Sequence, residues 1–107
     1  MNVVPKPKKN YKRNHYSWWS GLVIAHFNNK CAVCGSACEL TAHHIISKSN
    51  KLYHLSVDNG ISLCWEHHNN SKELSAHGNP EAFCEWLREN YPRLHSLAVR
   101  RLNRINP

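Results

Sequence analysis

The apolar positions fall into short groups separated by polar stretches, and each group carries its own period. From His15 to Asn29, Trp18, Trp19, Leu22, Val23, Ala25, His26 and Phe27 recur at steps of three and four. That spacing predicts an amphipathic helix despite Gly21, with Asn28-Asn29-Lys30 as its end. Glu39 to Ile46 alternates weakly and then runs apolar, which predicts a β-strand with His43 and His44 at its far end. Ser47 to Asn59 is polar and reads as a loop, long enough to suggest a functional role. Gly60 to Leu63 predicts a second short strand, antiparallel to the first if the loop closes on itself. A helix is expected to open at Cys64 and run to about Leu74, with Gly78 just past its last turn. Asn79-Pro80-Glu81 is a capped helix start with proline in the first turn. Phe83, Cys84, Trp86 and Leu87 form the buried face that follows, and Pro92 stops it. A last helix from about Pro92 to Ile105 carries Leu94, Leu97, Ala98 and Leu102 at helical spacing. The fold class expected is α+β, a hairpin and helix flanked by further helices.

At 107 residues the chain has room for one domain, and a chain this short buries only roughly two thirds of its unfolded surface. A metal staple would therefore help. No apolar run approaches the roughly 20 residues that span a bilayer, and no apolar segment follows the basic residues at the N-terminus, so neither a membrane anchor nor a signal peptide is expected. A cytoplasmic setting follows by default.

The net charge of +7 is unevenly distributed. Lys6, Lys8, Lys9, Lys12 and Arg13 crowd residues 1–14, which read as a flexible basic arm, and Arg93, Arg100, Arg101 and Arg104 lie near the other end, while the acids all fall between Glu39 and Glu89. Two basic ends suit a polyanion, because each phosphate neutralised releases counterions. Solubilising surface charge is the plainer reading of either run alone. Likewise, Tyr16, Trp18 and Trp19 could stack on bases or simply form core.

Five cysteines are an odd number, and in a reducing compartment thiols serve as metal ligands or core residues more readily than as disulfides. Cys31-x2-Cys34, followed by a glycine placed for a tight turn, resembles a zinc knuckle. With Cys64-x2-His67 it supplies the ligands of a closed tetrahedral zinc site. Cys38 could replace one of the four. Cys84 reads as a core thiol. Four protein ligands leave no open position on that zinc, so an enzyme would need a second ion, and His43, His44 and His68 remain to build its site.

The ordered set Cys-x2-Cys, His43-His44-Ile45, Asn59-Gly-Ile-Ser-Leu-Cys64 and His67-His68 resembles the HNH endonuclease family, over residues Cys31 to about His77. The resemblance implies a zinc-braced ββα-metal (His-Me finger) core over about 31–78, inside a single nuclease domain of 15–107 whose C-terminal helices occupy about 79–105. It implies that His43 and His68 hold a catalytic divalent ion, that His44 is the general base, and that Asn59 pins the loop so the base stays oriented. The ion implied is Mg²⁺ or Mn²⁺, with Ni²⁺ or Zn²⁺ also acceptable to imidazole. The chain departs from the family in having Cys64-x2-His67 where Cys-x2-Cys is usual. It also has Lys72 where several members place another ligand, and lysine there is better suited to a phosphate. His77 is open between that ligand role and a cap or surface histidine.

The chemistry implied is hydrolysis of DNA, with RNA as a further possible substrate, by a phage or mobile-element type enzyme. Lys8, Lys9, Lys12, Arg13, Lys48, Lys51, Lys72, Arg100, Arg101 and Arg104 are the expected backbone contacts. A base, a cation and stabilisation of the leaving oxygen are what such hydrolysis needs. The competing reading is a zinc-knuckle module that binds nucleic acid without cutting. Successive strand residues point to opposite faces, so for His43 and His44 to address one phosphate the strand must end or bulge at the pair.

Overall fold

The computed structural model describes residues 11–105, with side chains from His15 onward. Lys8, Lys9 and the side chains of Lys12 and Arg13 lie outside the described residues. The architecture is α+β: helix α1 (Tyr11–His26), a two-stranded antiparallel hairpin of β1 (Leu40–His44) and β2 (Gly60–Cys64), then helices α2 (Pro80–Asn90) and α3 (Pro92–Ile105). Among the described residues no helix is long and apolar enough to cross a membrane.

Helix α1 begins four residues before the expected His15, so its first turn takes the last residues of the presumed arm. It stops at His26 because Asn28 (φ 59) and Asn29 (φ 57) adopt left-handed backbone conformations. Asn28 N bonds Ala25 O at 3.0 Å and Asn29 N bonds Ile24 O at 3.0 Å, the paired bonds of a Schellman ending with asparagine where glycine is commoner. Trp19 and Val23 are buried while Trp18 is 54% and Leu22 40% exposed. Only one of the two adjacent tryptophans is therefore core.

Strand β2 is buried along its whole length. One face meets α1 so closely that a Cβ on Gly60 would lie 2.5 Å from Val23 Cγ2 and 2.7 Å from Trp19 Cζ2. The other face joins a core of Ile61, Leu63, Ala76, Phe83 and Leu87. Its outer edge is covered by the knuckle, through Ala32 N to Ser62 O at 2.8 Å. Helix α2 starts as its sequence predicts, with the Asn79 side chain accepting from Ala82 N at 3.2 Å. Cys84, expected in the core, is exposed, because α2 turns Phe83 and Leu87 inward instead.

The largest departure lies between Cys64 and Gly78. Only a wide five-residue turn, Glu66–Asn70, forms there, closed by Ser71 N to Glu66 O at 2.8 Å. Serine side chains then take over from the helical ladder. Ser71 Oγ accepts from Glu73 N (3.2 Å) and Leu74 N (3.0 Å), and Ser75 Oγ donates to Ser71 O at 2.6 Å and accepts from Gly78 N at 2.8 Å. The chain folds back so that Ala76 N and His77 N bond the carbonyls of His67 (3.0 Å) and His68 (2.9 Å). Gly78 serves this fold-back rather than a helix end, since any Cβ there would strike Ser75 Oγ and Ser71 O.

Candidate metal centres

Cys31 and Cys34 sit on a turn closed by Cys31 N to Ser36 O (2.8 Å) and Gly35 N to Cys31 O (2.9 Å), with Gly35 at φ 77. Cys64 ends β2 and His67 lies in the wide turn. The four donor atoms are all within 4.8 Å of one another. Cys34 Sγ to Cys64 Sγ is 3.7 Å, Cys64 Sγ to His67 Nδ1 is 3.4 Å, and Cys31 Sγ to His67 Nδ1 is 4.0 Å. A tetrahedral ion with bonds of about 2.3 Å to sulfur and about 2.05 Å to nitrogen needs separations of about 3.8 Å between sulfurs and about 3.5 Å between sulfur and nitrogen. The cluster could therefore hold a structural metal such as zinc, and the sulfurs are too far apart for a disulfide.

The thiols are also electrostatically suited to a cation. Burial would raise the Cys31 pKa, but backbone N–H groups around it outweigh that and hold it below the ordinary thiol value. Burial and the neighbouring thiols push Cys64 up to about 11. A dication among these sulfurs reverses that penalty. Cys38 is exposed, its N–H bonded to Ser36 Oγ at 3.1 Å, and it is not in the cluster.

A second group brings together His43 from β1, His68 from the wide turn and His77 from the fold-back, again with donor atoms within 4.8 Å of one another. Ring centroids are 5.1 Å apart for His43 with His68 and with His77, and 4.7 Å for His68 with His77. Thr41 Oγ1 lies 3.0 Å from His68 Nδ1, which leaves Nε2 as the free nitrogen. Burial, reinforced by His68, His77 and His44, holds His43 down to about 3. Burial, then His77, also lowers His68. The neutral imidazole is the form in which histidine binds a metal. His77, open between ligand and surface histidine in the sequence, is here a member of the group.

The adjacent His44 faces the other way. Strand β1 keeps regular register through His43 opposite Ile61 and His44 opposite Gly60, and it ends at His44 without a bulge. The His44 ring stacks on Trp19 at 3.9 Å and 13°, with Tyr16 edge-on at 6.1 Å. Its Nε2 lies 2.9 Å from the His54 carbonyl oxygen. A carbonyl only accepts, so Nε2 carries the proton and Nδ1 keeps a lone pair. Burial lowers the pKa of His44, a shift partly opposed by the His54 carbonyl and reinforced by Lys48 and His54.

Asn59 organises the intervening loop from a fully buried position, 1% exposed. Its Oδ1 accepts from Ile46 N at 2.8 Å, and its Nδ2 donates to Ile46 O at 3.0 Å and Tyr53 O at 3.3 Å. Trp19 Nε1 adds a bond to Ser56 O at 2.7 Å. Trp19 and His54 are thus partners of His44 that sequence reasoning did not assign. Trp19 was visible only as part of a stripe, and a contact made by the carbonyl of His54 leaves no trace in residue identity.

Lys48, Lys51, Lys72, Arg100 and Arg104 are exposed. Arg101 is not free: it bonds Asp58 at 2.9 Å and covers the Tyr53 ring at 4.6 Å, bracing α3 against the loop. No family model matches the chain, and neither a search of curated proteins nor one of solved structures returns a similar protein.

Proposed function

We propose that the chain is an HNH-type endonuclease with a ββα-metal core, in which the hairpin and wide turn frame a catalytic ion and the Cys31–Cys34–Cys64–His67 cluster holds a structural zinc. The observation that carries this reading is the division of two neighbouring histidines by the pleat. His43 belongs to a three-imidazole group, while His44 is held on the opposite face with one nitrogen free. A purely structural zinc module gives no reason for a second converging group or for a buried asparagine bonded three times to the loop beside it.

His43, His68 and His77 would hold a divalent ion. Three nitrogen donors favour Mn²⁺, Ni²⁺ or Zn²⁺ over Mg²⁺, which prefers oxygen. Bound there, the ion would supply Lewis-acid stabilisation of charge on the phosphate and leaving oxygens. His44 Nδ1 takes a proton from water, the water oxygen attacks phosphorus, and the bond from phosphorus to the 3′ oxygen breaks. A 5′-phosphate and, after protonation from solvent, a 3′-hydroxyl remain. The phosphate must lie across the end of β1 to meet both faces of the ribbon, where Lys48 stands close enough to act on His44. The His54 carbonyl stabilises the imidazolium that forms, and Asn59 keeps that carbonyl in place through the loop.

Nicking of supercoiled plasmid tests this. Wild type, stripped of loosely bound metal and given Mn²⁺, should nick, more weakly with Mg²⁺, and His44→Ala should not nick with either. Absence of nicking by wild type with DNA binding intact would favour the non-cutting module.

A further inference from the structure

The outer side of the knuckle carries a cleft that the proposed chemistry does not use. It has a volume of about 1130 Å³ and runs between the end of α1, the Cys31 turn and the start of α3. Pockets for small ligands run about 300–1,000 Å³, so the size suits a stretch of polymer. Its rim carries Lys30, Arg93 and Arg100, with His26 beside them. Among the described residues none of these three cations pairs with a carboxylate, and the one acid lining the cleft, Asp58, is already bonded to Arg101. Its lining includes the half-buried rings of Phe27 and Tyr91, which meet edge-on at 5.5 Å.

The cleft is separate from the histidine group. The Ala32 to Ser62 bond fixes the knuckle along one edge of β2, while β1 with His43 occupies the other. At about 4.8 Å per strand spacing, that separation is on the order of 10 Å.

We propose that this cleft binds an unpaired nucleic-acid strand, with phosphates on Lys30, Arg93 and Arg100 and bases against Phe27 and Tyr91. A cationic rim alone would serve a duplex equally well. The two aromatic rings decide between them, because only an unpaired strand offers base faces to cover them, and sequence-independent single-strand sites combine these two features. The proposal draws on the nuclease reading only for the choice of polymer. It implies a substrate with a single-stranded region, such as a flap or branch, held on one edge of the hairpin while the other edge addresses the bond to be cut.

Fluorescence anisotropy on the zinc-loaded full chain, without added catalytic ion, tests it with three probes: a short labelled single strand, the same sequence as a duplex, and an acidic peptide. The paired substitution Arg93→Gln with Arg100→Gln should weaken single-strand binding roughly tenfold, reduce the salt slope by about 1.4, and change duplex binding less than about threefold. Tyr91→Leu should weaken the single strand several-fold. Circular dichroism checks its folding, and the surface arginine pair gives the answer if that variant unfolds. Arg88→Glu, of equal charge change on α2, should do neither. Equal loss on single strand and duplex, no loss on either, or tighter binding of the acidic peptide would overturn the proposal. Plasmid nicking is scored separately. Normal nicking with unaltered binding in the arginine variant rejects the cleft alone, whereas cleft-dependent binding without nicking rejects the nuclease alone.

Discussion

Replacing Asn59 with alanine should uncouple the loop from the hairpin. The side chain makes three hydrogen bonds, at 2.8, 3.0 and 3.3 Å, from a site 1% exposed. Each is worth about 1 kcal/mol net, and the Ile46 N–H and carbonyl left behind are buried with nothing else to bond. The expected loss is about 3 kcal/mol, on the order of 10²-fold in the folding equilibrium. Urea denaturation of the zinc-loaded protein measures it. Asn59→Asp sharpens the test, since it keeps the acceptor for Ile46 N but turns an oxygen toward the Ile46 and Tyr53 carbonyls, and it should cost at least as much as alanine. The loop also carries the His54 carbonyl that holds His44, so either variant should nick poorly while binding the catalytic ion normally. A stability change under about 0.5 kcal/mol, or normal nicking by a folded Asn59→Ala protein, would mean that Asn59 does not hold the loop in place.

Other outcomes follow from the packing and the two candidate metal centres. Gly60→Ala, whose Cβ would meet Val23 and Trp19, should cost about 1–3 kcal/mol by overpacking, read as a lower urea midpoint with an unchanged slope. Removing metal from the cysteine cluster with a strong chelator should unfold the chain, because such sites contribute on the order of 10 kcal/mol; circular dichroism should show recovery on return of Zn²⁺, and Cys64→Ser should not recover. His43, held at about 3 in the fold against about 6.5 unfolded, makes the unfolded chain the better proton binder below pH 6.5. In protein lacking the catalytic ion, stability should therefore be full above that value and fall as the pH drops toward 3, by up to about 4–5 kcal/mol. A pH series of urea melts should show that slope flattened in His43→Gln.

What the sequence conveyed depended on whether the determining contacts were local. The Asn79-Pro80 helix start was legible because a cap and a proline act within one turn. The approach of Cys31, Cys34, Cys64 and His67 was legible because paired ligands at short spacing have few geometries open to them. The helix expected from Cys64 to Leu74 was not found, because Ser71 and Ser75 bond their own backbone and reroute the chain, a competition that hydrophobic spacing does not register. The same rerouting brings His77 to His68, which left its place undecided in the sequence. Trp18 and Trp19 are adjacent and equally apolar, and contacts with the distant Gly60, His44 and Ser56 bury only the second. Alternation along the strand did foretell that His43 and His44 diverge, and the structure meets that demand by ending β1 at His44 with no bulge.

In the proposed nuclease His43 and His44, neighbours in one strand, have different tasks. Titration calorimetry with Mn²⁺ on zinc-loaded His43→Ala and His44→Ala, alongside plasmid nicking, separates the two. His43→Ala should lose ion affinity, whereas His44→Ala should bind Mn²⁺ as wild type does and fail to nick; equal loss of the ion in both variants, or nicking by His44→Ala, would show that the two histidines do not divide the work.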